Sequence, residues 1–398
     1  MNALPQAKVS ALDALTGARF LAAFWVFNAH FLYLDLWAPH LAPWVMHARF
    51  AGDSGVTYFF MLSAFMMTIA YPGELATREQ RKGFWIARFA RLYPLYLLCF
   101  VWFAPFALMH FFATLPLRSA ILHAGFSGVM TLLLMQDWGS PFFTMLWNAP
   151  GWTLCVDVLF YAAFPWLARW MRNLSRNALL GTMAAMWLLS MALSGGTMAL
   201  FPHSSMAAAL IIRHPLYHAP TLVFGMALGY LYQRRIPPKH RSFSTWLTLA
   251  GLAGTLCMAI GVGGVERWVS HVSFYLPAIA AVLYGLATGG WPSSLLRTRP
   301  LLVLGDSVYA FYLMQFPLVG TLVWIGNGFR FTSVLDMRAM PKFALGPGFY
   351  CVVLVCALVL SVLLFRYFET PWRIRLRRSL GERWLHRPLP APIIPGQS

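Results

Sequence analysis

The chain has 398 residues, 59% hydrophobic, 16% aromatic and only 11% charged, with a mean hydropathy of +0.63, a balance that excludes a soluble domain of this size. Its formal charge of +18 could serve nucleic acid, but the basic residues fall in short clusters between apolar runs, as in cytoplasmic loops, so no nucleic-acid partner is expected. What remains is a polytopic protein of the lipid bilayer.

Apolar runs long enough to cross occur at roughly 15–37, 54–71, 86–110, 118–136, 152–168, 178–194, 207–232, 243–263, 272–290, 300–325 and 345–367. The first is too long for the apolar core of a signal peptide, and no small-residue cleavage site follows a basic start, so it is expected to remain as a helix. Basic connectors lie at 74–91, 168–176, 233–241, 296–300 and 366–387, and poorly charged ones at 38–53, 195–206 and 264–271. Three candidate spans separate the first basic connector from the second, so eleven full crossings would put those two on opposite sides. The stretch 118–151 contains "HAGFSG", "QDWGSP" and "NAPGW", glycine, proline and polar content suited to a re-entrant segment lining protein or water. Treating it as non-spanning predicts an all-α integral membrane protein of about ten transmembrane helices plus this re-entrant segment, with both termini cytoplasmic; the alternative is an ordinary helix pair with a weak charge bias. Residues 1–373 form the membrane domain, and 374–398 a basic, proline-rich cytoplasmic tail ending in the disordered-looking "RPLPAPIIPGQS".

The first run, "TGARFLAAFWVFNAHF", places Arg19 and His30 eleven residues apart. That is nearly three helical turns, so both lie on one stripe, roughly 16 Å apart along the axis. Arg19 could snorkel to the interface and His30 could be a satisfied core histidine; equally, ionisable groups inside a membrane helix are expensive and mark function. A histidine can also take a proton from a hydroxyl and return it. In "RFARLYPLYLL", Arg88 and Arg91 are three apart at a cytoplasmic boundary; they follow the positive-inside bias or grip a phosphorylated ligand, which a guanidinium fork matches bidentately. "HPLYH" sets His214 four residues before His218, but Pro215 suits a helix entrance and no acidic residue is close in sequence, so no metal site is expected. The five cysteines sit in apolar stretches without a CxxC and read as small buried hydrophobes.

Together these segments resemble the membrane-bound acyltransferase-3 family, integral-membrane enzymes that O-acylate sugars and related acceptors. "LDALTGARFLAAFWVFNAH" (12–30) is similar to its first helix and "GDSGVTYFFMLSAFMMT" (52–68) to its second. "RFARLYPLY" (88–96) carries its Arg-x-x-Arg, and "GWTLCVDVLFYAAFP" (151–165) its Trp, acid, Phe-Tyr, Pro segment. "LGDSVYAFYLMQFPL" (304–318) resembles a late helix and "RYFETPWR" (366–373) the closing Glu-x-Pro. Asp157 stands where a glutamate is usual, Ala64 replaces the glycine after Ser63, and Gln315 occupies a position often held by histidine.

The resemblance implies an acyl-CoA donor, acetyl-CoA above all, with no permanently bound cofactor, and as acceptor a hydroxyl of a surface or exported polysaccharide, such as exopolysaccharide or lipopolysaccharide, or its lipid-linked sugar precursor. It implies His30 as general base, Arg19 lining the donor route, Asp157 as an orienting or a structural acid, and Arg88 and Arg91 on the donor phosphates. Asn28, Ser63, Tyr312 and Gln315 are candidate oxyanion donors by type; Trp152, Tyr161 and Glu369 complete the matched segments. A bacterial inner membrane is the implied location, with polysaccharide-assembly proteins as further partners. Acylation of a macrolide or other small molecule is the alternative acceptor chemistry. A transporter would also suit ten spans and intramembrane charges, but no internal repeat is evident.

Overall fold

The computed structural model describes residues 6–385 except 42, 51, 53, 74, 140–146, 203, 235–240, 262–273 and 333–339, and the described residues contain helices and no strand. The principal helices are α1 (Gln6–Phe31), α2 (Ser54–Ala70), α3 (Arg78–Thr114), α4 (Leu117–Leu132), α5 (Trp152–Arg172), α6 (Arg176–Leu200), α7 (Ser205–Arg213), α8 (Pro215–Gln233), α9 (Arg241–Gly261), α10 (Leu276–Thr288), α11 (Arg299–Asp306), α12 (Val308–Leu313), α13 (Gln315–Gly326), α14 (Pro347–Leu364) and α15 (Thr370–Leu385).

Five helical stretches among the described residues are long and apolar enough to cross a membrane: Arg78–Thr114, Ala149–Arg172, Arg176–Leu200, Arg241–Ile260 and Pro347–Leu385. Ser54–Ala70, Leu276–Thr288 and Gln315–Gly326 are apolar but shorter. Large apolar side chains such as Leu122, Phe126, Leu188, Val355 and Val359 point outward, as lipid-facing surface does. The protein is therefore a helical membrane protein. Cys99 and Cys155 are buried as expected, whereas Cys257 and Cys351 are exposed; an apolar sequence context does not separate core-facing from outward-facing positions when the outside is itself apolar.

Helix α1 lies against α2, α10, α11 and α12, and α2 pairs along its length with α8. Two of these contacts depend on missing side chains. A Cβ at Gly305 would run into the Thr16 carbonyl, which lets α11 rest on α1. At Gly225 of α8 a Cβ would lie 2.6 Å from the Met61 carbonyl of α2; Gly225 and Gly229 form the small-xxx-small face that allows such backbone approach.

The apolar runs at 207–232 and 300–325 are not continuous helices. Pro215 biases His214 toward extended backbone, and His214 has ψ 127° where α7 ends; the carbonyl of Ile212 is taken by the His218 ring at 2.8 Å. Pro317 cannot donate to the Leu313 carbonyl, which instead accepts from Asn148 Nδ2 at 3.1 Å where the chain breaks between α12 and α13. In α5, Pro165 likewise frees the Tyr161 carbonyl, and Trp85 Nε1 donates to it at 2.9 Å. Each break inside apolar surroundings is satisfied by a neighbouring side chain, as a bilayer requires.

Helix α4 returns beside α3 only as far as its middle, where Tyr96 donates to the Thr131 carbonyl at 2.7 Å and Tyr93 to that of Leu132 at 3.2 Å. The start of α5 is tied in at the same level, because Gln136 Nε2 donates to the Gly151 carbonyl at 2.8 Å and Gly151 abuts the Tyr96 ring. The basic segment from 374 continues as α15 to Leu385, packed on α3; residues 386–398, with the proline-rich end, lie outside the described ones.

Candidate active site

Residues of α1, α2, α3, α5, α11 and α12 line a cavity of about 290 Å³. Its charge comes from Arg19, Arg88, Arg91 and Asp157, and Ser63, Tyr161 and Tyr312 add hydroxyls. Seven residues singled out by sequence pattern, from five separate segments, thus share one chamber. Spacing explains the local placement: Arg88 and Arg91 are one turn apart on α3, and Asp157 and Tyr161 one turn apart on α5, so each pair shares a helix face.

The two arginines of α3 have different surroundings. The Arg88 guanidinium carbon lies 5.7 Å from the Tyr71 ring centroid, 5.9 Å from Phe84 and 6.0 Å from Tyr161, and Nη2 is 3.4 Å from the Tyr71 hydroxyl. This aromatic box suits a planar, weakly hydrated cation. Arg91 faces the Tyr309 ring at 6.0 Å, and its Nη1 is 3.1 Å from Glu369 Oε1. Glu369 is 2% exposed and ends the π-helical turn Phe365–Glu369 between α14 and α15; the extra residue of a π turn re-aims the side chain that follows. A buried carboxylate needs such a partner.

His30 does not line this chamber. It occupies the far end of the α1 stripe, with Nδ1 3.1 Å from Gln315 Oε1 and its ring edge-on to Phe31 and Phe316 at 5.8 and 5.7 Å. An amide oxygen only accepts, so in this contact Nδ1 carries the proton and Nε2 is the basic nitrogen. Gln315 is fully buried, and its Nε2 has no acceptor among the described residues. Asn28 accepts from the Tyr350 hydroxyl at 2.6 Å, and Trp152 packs against the rings of Phe60 and His218 at 5.9 and 5.3 Å. The predicted set therefore divides into a cationic chamber and a histidine end, joined along α1 and by Tyr312, which lies three residues before Gln315. Glu369 acts on the chamber through Arg91. His214 Nδ1 accepts from the Leu216 backbone at 3.4 Å and caps α8.

Four residues escaped the sequence reading. Asp306 ends α11 within electrostatic range of Arg19 and Arg91. Tyr309 lines the chamber and donates to the Leu92 carbonyl at 2.7 Å. Arg373 and Arg377 of α15 lie within electrostatic range of Arg88. Asp306 was within reach of the rule that flagged Arg19, since an acid inside an apolar run is itself a functional signal.

A multi-helix membrane domain with half-buried arginines of two helices around one chamber and a paired histidine further along α1 has the parts of a membrane-embedded group-transfer enzyme. The chain belongs to the acyltransferase-3 family: the family model described as "Acyltransferase domain" matches residues 12–366. It is similar to Acyltransferase MdmB of Streptomyces mycarofaciens, 26% identical over 329 residues that cover 78% of this chain and 80% of MdmB. It is also similar to the O-acetyltransferase OatA of Staphylococcus aureus, 22% identical over 81% of this chain and 53% of OatA. Peptidoglycan O-acetyltransferase OatA of Listeria monocytogenes is 24% identical over 81% of this chain and 51% of its own length. The chain thus spans about half the length of the OatA proteins. No solved structure matches it.

Proposed function

We propose that this protein moves an acyl group, most simply acetyl, from acyl-CoA onto a sugar hydroxyl of a cell-envelope polysaccharide or its lipid-linked precursor. The observation that carries the reading is the convergence of Arg19, Arg88 and Arg91 on one chamber at the opposite end of the α1 stripe from the His30–Gln315 pair. A donor with phosphates at one end and a thioester on a long flexible arm has the same layout. The arginines take the anionic end from the cytoplasm, and the arm runs along α1 toward His30.

There the acceptor hydroxyl attacks the thioester carbonyl carbon as His30 Nε2 takes its proton. The carbonyl oxygen becomes an oxyanion, and the unpartnered Nε2 of Gln315 is the donor that meets it. The C–S bond then breaks, the ester remains on the acceptor, and the imidazolium returns the proton to the departing thiolate. Gln315 serves as both the Nδ1 acceptor and the oxyanion donor, which gives a physical use to an amide at a position where related sequences often have histidine.

The reading places the chain in a bacterial inner membrane with about ten crossings and both termini in the cytoplasm. In it, 118–151, of which 140–146 lie outside the described residues, is a re-entrant passage; the halt of α4 beside Tyr96 supports this. An acceptor on a glycan accords with the peptidoglycan substrate in the name of the Listeria relative. The test compares ester-linked acyl groups on surface glycans of cells lacking the gene and complemented with wild type, His30→Ala or Arg88→Ala at matched membrane levels. Wild type should restore an ester whose mass names the acyl group, and both variants should fail. Normal acylation by His30→Ala would remove the base assignment; no glycan ester with wild type would move the acceptor to a small molecule.

A further inference from the structure

Among the described residues, three arginines bury an Nε–H with no hydrogen-bond acceptor: Arg88, Arg373 and Arg377. They meet at one corner. Arg373 and Arg377 are four apart on α15, so they share the face turned to α3, and Arg88 comes from α3 itself. Arg373 lies within electrostatic range of Arg88, Arg91 and Arg377 and of the Glu369 carboxylate, and Arg377 within range of Arg88 and Tyr71. Among the described residues, the acids in range of these three are Glu369, which pairs with Arg91 and also reaches Arg373, and Asp157, which lies within range of Arg88, so two carboxylates serve three guanidiniums and one of the two is shared with Arg91. Like charges held together with buried donors unsatisfied are costly unless an anion completes the group. The same helix shows the contrast: Arg378, on the exposed side, is paired with Glu382 at 2.9 Å.

We infer that Arg373 and Arg377, with Arg88, form a phosphate clamp at the cytoplasmic mouth of the chamber. It holds the ribose 3′-phosphate and diphosphate end of the thioester donor. This rests on the acyl-CoA reading above and deepens it. Arg88 lines the cavity whereas Arg373 and Arg377 stand outside it. A donor whose thioester lies inside therefore meets Arg88 with its diphosphate, and Arg373 and Arg377 with the more distal 3′-phosphate. The guanidinium forks supply paired N–H donors of the kind a phosphate accepts. Helix α15 becomes part of the donor site and not only a positively charged tail.

The experiment measures binding of coenzyme A and of 3′-dephospho-coenzyme A to the full chain purified in detergent. The proteins are wild type, Arg373→Gln, Arg377→Gln, the double variant and Arg378→Gln. Wild type should prefer coenzyme A by about tenfold or more, the gain expected from charge-assisted hydrogen bonds to one phosphate. The double variant should lose that preference while binding the dephospho form as wild type does, which also shows that it is folded; Arg378→Gln should match wild type. The clamp is refuted if the variants retain the preference, or if they weaken both ligands equally. If they instead lose co-purified anionic phospholipid with coenzyme A binding unchanged, the corner holds a lipid phosphate and the assignment is wrong. Failure of wild type to bind either nucleotide would overturn the acyl-CoA reading itself, and the clamp with it.

Discussion

Arg91 Nη1 and Glu369 Oε1 stand 3.1 Å apart, joining α3 to the π-helical turn that precedes α15. The carboxylate is 2% exposed and the guanidinium 26%, so the pair is asymmetric: the acid depends on the base more than the reverse. Glu369 fixes one edge of Arg91, which lines the chamber.

Removing one partner of a buried pair leaves a charge uncompensated. Glu369→Gln and Arg91→Gln should each destabilise the protein by about 1–3 kcal/mol, below the full buried-pair cost because Arg91 is partly exposed. The double variant should be less destabilised than the sum of the two, which thermal unfolding of all four proteins in detergent would read as a coupling. Strict additivity would mean that the two side chains are neighbours without being partners.

The chamber was largely legible before the fold was known. Arg19 announces itself because an ionisable group among apolar residues is rare and expensive, Arg88 and Arg91 by their spacing on one helix face, and Asp157 only through the family resemblance. Asp306 obeyed the same rule and was passed over inside "LGDSVYAFY". Arg373 and Arg377 were hidden for another reason: a basic segment after a last span is what sidedness alone predicts, and only the packing of α15 on α3 separates them from Arg378. Pro215 was legible as a helix entrance in "HPLYH", whereas the break at Pro317 was masked by the hydropathy of the run around it. The π turn at Phe365–Glu369 has no local signature that distinguishes it from continuous helix.

His30 and the chamber that holds Arg19, Arg88 and Arg91 lie apart along α1, so their losses should separate kinetically. His30→Ala should reduce turnover by about 10²–10⁴-fold, the contribution of a positioned general base, while coenzyme A binding stays close to wild type. Arg88→Lys should do the reverse, raising donor KM about tenfold with kcat little changed, because an ammonium neither fills the box of Tyr71, Phe84 and Tyr161 nor binds phosphate bidentately. Steady-state kinetics against donor, paired with direct binding, makes the comparison. If Arg88→Lys lowered kcat alone, the arginine would belong to the chemistry and not to donor binding.

Two functions of Gln315 can be taken apart by substitution. Gln315→Leu loses both the acceptor for His30 Nδ1 and the unpartnered amide donor, and kcat should fall by about 10²–10³-fold, as for loss of an oxyanion donor. Gln315→Glu keeps an acceptor for Nδ1 but offers no amide N–H; its kcat should stay as low as that of the leucine variant if oxyanion donation dominates. Recovery with Glu would place the main role in orienting the imidazole.

Ala64 replaces a glycine in the matched second helix, and its partner across the interface explains why that is tolerated. Ala64 is fully buried, and a Cβ on Gly225 of α8 would come 3.0 Å from its Cβ and 2.6 Å from the Met61 carbonyl. The interface thus keeps its small residue on α8 instead of α2. Because α2 also carries Ser63 into the chamber, forcing the helices apart should disturb the site as well as the fold. Gly225→Ala should lower stability by about 1–3 kcal/mol through overpacking. Combining it with Ala64→Gly should restore only part of that loss, since the second change relieves the Cβ–Cβ contact while the Met61 carbonyl, a backbone atom, stays in place. Unfolding midpoints of the two single variants and the double one would decide it: complete rescue would show that the side-chain contact alone limits the approach, and no rescue that the carbonyl alone does.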